Sequence, residues 1–142
     1  MLKVIFICTG NSCRSQMAEG LANSLYGDIL KAYSAGSNPA GYVHPLAIDV
    51  MKEIGIDISG NISKKLDTSN LSDFDYAITV CGEANEACPN ILTNCKKLHW
   101  EIKDPARFEG SLEDKMNFFR IIRDEIKERI ISFVNEVTKK IG

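Results

Sequence analysis

Two residues at the ends of a short loop could do chemistry together. The stretch FICTGNSCRSQMAEG places a thiol, Cys8, and a fixed cation, Arg14, on either side of small polar residues. Cys8 ends an apolar run, Gly10 permits a tight turn, and a helix is expected from about Ser15. Successive backbone N–H groups in such a turn point inward and form a nest for an anion. Thr9, Gly10, Asn11, Ser12, Cys13, Arg14 and Ser15 are therefore the candidate oxyanion-binding residues. The helix N-terminus adds partial positive charge on the same side, and the planar fork of Arg14 can hold two oxygens of a tetrahedral anion. The same field favours a thiolate, and the Ser15 hydroxyl is placed to hydrogen-bond it. A thiolate beneath a bound oxyanion is arranged for attack on phosphorus or a similar centre. The Cys13 side chain has no evident route to that anion and is read as a small buried hydrophobe.

A second group of thiols lies far along the chain. TVCGEANEACP carries Cys81 and Cys88 with six residues between them, and Cys95 follows. An odd total of five cysteines fits a disulfide framework poorly, and points to metal binding, redox chemistry or nucleophilic catalysis. A zinc site from Cys81, Cys88, Cys95 and His99 is the non-enzymatic alternative, since Cys95 and His99 have acceptable spacing. The wider gaps do not resemble a zinc knuckle, and such a site leaves the Cys8 loop unexplained. No metal is expected.

The elements that must position these groups follow from the apolar pattern. At 142 residues, with 44% hydrophobic and 25% charged residues, the chain suits one compact domain over 1–142. A net charge of −2 with scattered Lys and Arg excludes nucleic acid and an anionic membrane surface as expected partners. No apolar run approaches the roughly 20 residues that span a bilayer, and the short apolar start does not read as a signal peptide. A cytoplasmic location and a monomer are expected. Leu2–Cys8 is a near-continuous apolar strand. Met17, Leu21 and Leu25 share one face of a helix that Gly27 ends. Lys31–Gly36, Asp75–Cys81 and Lys96–Ile102 read as strands, and residues 45–55 as a second helix. Leu112, Met116, Phe119, Ile122, Ile126, Ile130, Phe133 and Val137 step by three or four along a long C-terminal helix. Strands alternating with helices predict a three-layer α/β/α fold with a mainly parallel, four-stranded sheet. Ligands of such sheets bind beyond the carboxyl ends of the strands, where Cys8 and Cys81 both fall.

The Cys8 loop resembles the active-site loop of the low-molecular-weight protein tyrosine phosphatase fold. CTGNSCRSQMAEG in particular is similar to the version in thioredoxin-coupled arsenate reductases, which share that fold. The phosphatases usually read Arg-Ser-Pro where this chain has Arg14-Ser15-Gln16, and Asp-Pro-Tyr where it has Asp104-Pro105-Ala106. Both departures, and the Cys81-x6-Cys88 segment, favour the reductase branch. The resemblance implies a relay in which Cys8 forms a covalent adduct with arsenic and Asp104 is the general acid. Cys81 then attacks Cys8, arsenite leaves, and Cys88 closes a disulfide with Cys81. Reduced thioredoxin or a similar redoxin would restore the thiols, with no bound cofactor. It also implies that Asn11, Glu19 and Ser34 support the loop. A phosphatase acting on phosphomonoesters is the enzymatic alternative.

GEANEA favours a helix after Cys81 that Pro89 ends. Residues seven apart on a helix are separated by about 10.5 Å along its axis, whereas a disulfide needs Cα atoms within roughly 7 Å. Oxidation is therefore expected to unwind residues 82–88, with Gly82 supplying backbone freedom. His44, before Pro45, reads as a helix cap or surface residue, Trp100 as packing, Lys64 and Lys65 as solvated, and Cys95 as structural. The segment RFEGSLEDKMNFF is longer than the resemblance leads one to expect.

Overall fold

LKVIFIC forms β1 (Leu2–Cys8), buried from Val4 onward, as its unbroken apolar run requires of a strand covered on both faces. The computed structural model describes residues 1–82 and 95–141. Cys88, and the helix expected between Cys81 and Pro89, lie outside the described residues. β2 (Leu30–Gly36), β3 (Tyr76–Cys81) and β4 (Lys96–Glu101) join β1 in a four-stranded sheet of order β2-β1-β3-β4. All pairings are parallel, with Cys8 opposite Gly36, Ile7 opposite Thr79 and Cys81 opposite Glu101. The central strands are buried, β3 throughout and β1 from Val4 onward, while the edge strand β4 buries only Trp100. The α/β architecture with a parallel sheet is the one expected.

Helices α1 (Arg14–Tyr26), α2 (Pro45–Lys52) and α3 (Leu112–Ile141) complete the main elements. All of them contribute to one large cluster on a single face of the sheet, with Val4, Phe6, Tyr76, Ile78, Val80 and Trp100. Trp100 packs there against Phe6, ring centroids 5.7 Å apart. The α3 stripe behaves as its spacing predicts from Phe119 to Val137, and each fully buried Ile or Phe contributes about 1.5–3 kcal/mol. Leu112, on the same stripe, is exposed. The opposite face carries a smaller cluster of Ile5, Ile7, Ala35, Leu71 and Ala77, closed by Leu66, Phe74 and Cys95. Leu71 comes from a 3-10 turn, Thr68–Asp73, that the sequence pattern does not announce.

α2 ends at Lys52, short of the Gly55 boundary expected. Its C-terminal end is tied to α3 through Arg123, which donates to Val50 O at 2.8 Å and to Glu53 at 3.0 Å, and through Arg120, 2.6 Å from Glu53. No helix among the described residues is long and apolar enough to cross a membrane.

Candidate active site

The turn between β1 and α1 is made by a residue other than the one expected. Asn11 takes the left-handed conformation, φ 48°, and is the only non-glycine among the described residues to do so. At Gly10 an added Cβ would find ordinary contact, 3.6 Å from Ser12 Oγ. Asparagine tolerates this backbone, and here its side chain makes three hydrogen bonds. Asn11 Oδ1 accepts from Lys64 N at 2.8 Å and from Gln16 Nε2 at 3.0 Å, while Nδ2 donates to Ser15 Oγ at 2.8 Å. With a donor already directed at its oxygen, the Ser15 hydroxyl has its proton available for Cys8 Sγ, 2.9 Å away. Asn11 N donates to the same sulfur at 3.1 Å.

Cys8, Asn11, Arg14, Ser15 and Gln16 are all buried. α1 begins at Arg14, one residue earlier than expected, so its N-terminus points its partial positive charge into the turn. Arg14 Nη1 donates to Ile102 O at 3.0 Å, which fixes the guanidinium against the chain leaving β4. Its Nη2 lies 3.7 Å from Asp104 Oδ2. Asp104 Oδ1 accepts from Ala106 N at 3.0 Å and so caps the 3-10 turn Pro105–Arg107. The Arg107 guanidinium approaches Asp104 at 4.0 Å. The residues predicted for oxyanion chemistry, Cys8, Arg14, Ser15 and Asp104, are thus brought together.

Glu19 and Ser34 join a polar network behind the loop. Ser34 Oγ donates to Glu19 Oε1 at 3.2 Å, and Asn61 Nδ2 donates to Glu19 Oε2 at 3.0 Å and to Gln16 Oε1 at 3.1 Å. Gln16 in turn bonds Asn11, so one polar network runs from Glu19 to Cys8. Burial pushes the Glu19 carboxyl above its ordinary value, against the pull of the Lys64 ammonium and the Ser34 bond. Gln16 and Asn61 were not anticipated as site residues. A polar residue within the buried first turn of α1 was the available signal for Gln16. Lys64 keeps its ammonium at the surface, as expected, but takes part in the loop as well. It is half-buried, its Nζ donates to Ile62 O at 2.8 Å, and its backbone serves Asn11. Lys65 is exposed and pairs through its backbone with Gly36.

Gly36 needs its lack of a side chain. A Cβ there would lie 2.5 Å from Thr9 O and 3.0 Å from Asn11, so the end of β2 presses directly on the loop. Cys13 is buried, and burial pushes its thiol up to about 12, which keeps it neutral. His44 is the cap of α2, its Nδ1 accepting from Leu46 N at 3.1 Å.

Cys81 ends β3, buried, with its carbonyl accepting from Ile102 N at 3.2 Å. Strand alternation directs it away from the face of Ile78 and Val80, whereas Cys8 shares the large cluster with Val4 and Phe6. The thiols end neighbouring strands but leave the sheet on opposite faces. Of the residues in the zinc alternative, His99 Nδ1 lies 2.7 Å from Thr79 Oγ1 and Cys95 packs in the smaller cluster. Among the described residues no three His, Cys, Asp or Glu side chains gather closely enough to hold a metal.

A cysteine at the carboxyl edge of a parallel sheet, backed by a helix N-terminus and a buried guanidinium, defines the class: α/β proteins with a thiol-based oxyanion site. Residues 3–141 match the low molecular weight phosphotyrosine protein phosphatase family, and the chain belongs to that family. Within it, the chain is 47% identical over 130 residues to an arsenate reductase of Bacillus subtilis, covering 92% of this chain and 93% of that protein. A solved structure described as an arsenate reductase in the phosphate binding state superposes with a TM-score of 0.79 at 36% identity, covering 96% of this chain and 98% of the other. The thioredoxin-dependent arsenate reductase of Corynebacterium glutamicum gives a TM-score of 0.73 at 28% identity, covering 99% of this chain and 63% of the other.

Proposed function

We propose that this chain reduces arsenate to arsenite, as a single domain over residues 1–142, with electrons supplied by a thioredoxin-class dithiol. The observation that carries the reading is that two buried thiols, Cys8 and Cys81, end neighbouring parallel strands, the first of them inside an oxyanion loop. The arsenate reductases to which the chain is similar support the same substrate.

The Cys8 thiolate attacks As(V), forming an arsenic–sulfur bond as one oxygen leaves. Asp104 gives that oxygen its proton, and it departs as water. Arg14 and the loop amides stabilise the negative charge on the remaining oxygens. The Cys81 thiolate, which must first turn from the opposite face of the sheet, then attacks the Cys8 sulfur. The electron pair of the arsenic–sulfur bond stays on arsenic, which leaves as As(III), and a Cys8–Cys81 disulfide forms. Cys88 exchanges into that disulfide, freeing Cys8 and leaving a Cys81–Cys88 bridge. A reduced dithiol partner returns two electrons to the bridge. No metal or bound organic cofactor takes part.

The test is arsenate-dependent NADPH oxidation with thioredoxin and thioredoxin reductase. The native chain is expected to turn over, and Cys8→Ser, Cys81→Ser and Cys88→Ser to abolish repeated turnover. Mass spectrometry of native protein after one turnover should find Cys81 bridged to Cys88. Arsenite formed with both of those thiols still reduced would reject the relay.

A further inference from the structure

α2 begins at a histidine, and the same histidine holds the oxyanion loop. Residues 37–44 run behind that loop and donate backbone bonds to it: Ser37 N to Cys8 O at 3.2 Å, Asn38 N to Thr9 O at 2.9 Å, and Ala40 N to Gly10 O at 2.8 Å. The last anchor is His44 N, which donates to Ser12 O at 2.9 Å. The imidazole of His44 accepts through Nδ1 from Leu46 N, so its proton sits on Nε2. Its ring lies against Phe119 of α3, centroids 4.9 Å apart.

We propose that His44 is a positioning residue for the oxyanion loop, holding it as a neutral imidazole and releasing it when protonated. The inference rests on reading the Cys8 loop as an oxyanion site. Protonation acts in two ways, both in one direction. A protonated Nδ1 faces the Leu46 N–H as a second donor, so the cap bond is lost. The new positive charge also stands at the positive end of α2. The C-terminal end of α2 keeps its Arg120 and Arg123 ties to Glu53, so loosening is confined to the end that carries the Ser12 anchor.

The charged groups facing His44 are Asp104, from the segment after β4, and Lys115, from α3. Burial is the largest influence and holds His44 below the ordinary histidine value. Asp104 works against it, and Lys115 works with it. The capped form therefore prevails at neutral pH, and release occurs on acidification.

Inorganic sulfate is a suitable probe, because it remains a tetrahedral dianion between about pH 8 and about pH 5.5. Calorimetric dissociation constants would be measured on the full chain for native protein, His44→Asn and His44→Ala. Asparagine caps a helix without titrating. At about pH 8, native protein and His44→Asn should bind alike, and His44→Ala about three- to tenfold more weakly. On acidification the native affinity should fall about three- to tenfold further than that of His44→Asn. Equal pH slopes for native and His44→Asn would overturn the proposal, as would native-like binding by His44→Ala at the higher pH. Failure of the reductase reading is separate: thioredoxin-driven arsenate turnover would be absent while sulfate binding kept its differing slopes.

Discussion

Arg14 and Asp104 face each other across the mouth of the oxyanion loop at 3.7 Å, the guanidinium buried and the carboxylate side chain 21% exposed. The guanidinium is also the group a bound oxyanion needs, so Asp104 and the anion compete for it. Two negative groups drawn to one guanidinium also repel each other. As a carboxylate Asp104 therefore opposes anion binding, and in the proposed reaction it must take up a proton before it can protonate the leaving oxygen. Asp104→Asn should tighten phosphate binding several-fold while lowering arsenate kcat by about 10²–10⁴. Calorimetry and steady-state kinetics on one preparation check both halves. An unchanged kcat would remove Asp104 from proton transfer.

The sulfur of Cys8 accepts from Asn11 N and from Ser15 Oγ, and the second of these depends on Asn11 Nδ2. Ser15→Ala removes one donor and leaves the left-handed turn alone. It should slow alkylation of Cys8 by iodoacetamide at neutral pH about tenfold, the equivalent of a charge-assisted bond of about 1.5 kcal/mol. Asn11→Ala adds strain at a positive φ, whereas Asn11→Gly removes only the side chain. The alanine variant should be less stable by about 1 kcal/mol in urea unfolding, and equal stability would place the value of Asn11 in its amide alone.

The loop was legible in the sequence because its parts are contiguous: an apolar strand, a small polar turn and a helix start within a few residues. The same locality explains the error at its centre. Gly10 and Asn11 both tolerate the left-handed turn, and intrinsic freedom favours glycine. The choice is made by the bonds Asn11 forms to Gln16, Ser15 and the backbone of Lys64. Lys64, Asn61 and Ile102 reach the site from distant segments, and apolar periodicity carries no record of which carbonyl a buried guanidinium will meet. Leu112 shows the converse limit. It keeps the α3 spacing, but the buried stripe begins only further along the helix.

Cys13 shares the loop with Cys8 but is held as a neutral thiol by burial, its value pushed from 9.0 up to about 12. The unfolded chain ionises this group first. Its contribution to stability is complete below pH 9 and is lost as pH rises toward the folded value. The loss reaches about 1.4 kcal/mol one unit above the unfolded value. Native protein should therefore lose more stability than Cys13→Ala between about pH 8 and about pH 10, by roughly that amount. Paired urea titrations at the two pH values measure the difference, and parallel losses would show that Cys13 ionises without cost. Arsenate turnover of Cys13→Ala should stay close to native.

Gly82 connects the second thiol to the first site by a route that backbone freedom does not describe. A Cβ at Gly82 would lie 2.7 Å from Ile102 C and O and 2.9 Å from Ile102 N, all of them main-chain atoms that cannot rotate away. Ile102 N donates to Cys81 O, and Ile102 O receives Arg14 Nη1. The residue after Cys81 is thus packed on the peptide that orients the oxyanion-binding guanidinium. Gly82→Ala should displace that peptide and weaken the Arg14 bond, which as a charge-assisted contact is worth about 1.5–3 kcal/mol. Phosphate affinity is then expected to fall roughly tenfold to a hundredfold, although residue 82 is not among those that bind the anion. Gly60→Ala, where an added Cβ meets nothing within 4 Å, is the matched control and should bind phosphate as native does. Arg14→Lys cannot reproduce the fork that spans Ile102 O and the anion. If Gly82 acts through Arg14, adding Gly82→Ala to Arg14→Lys should cost little more, and fully additive losses would break the link between the end of β3 and the oxyanion loop.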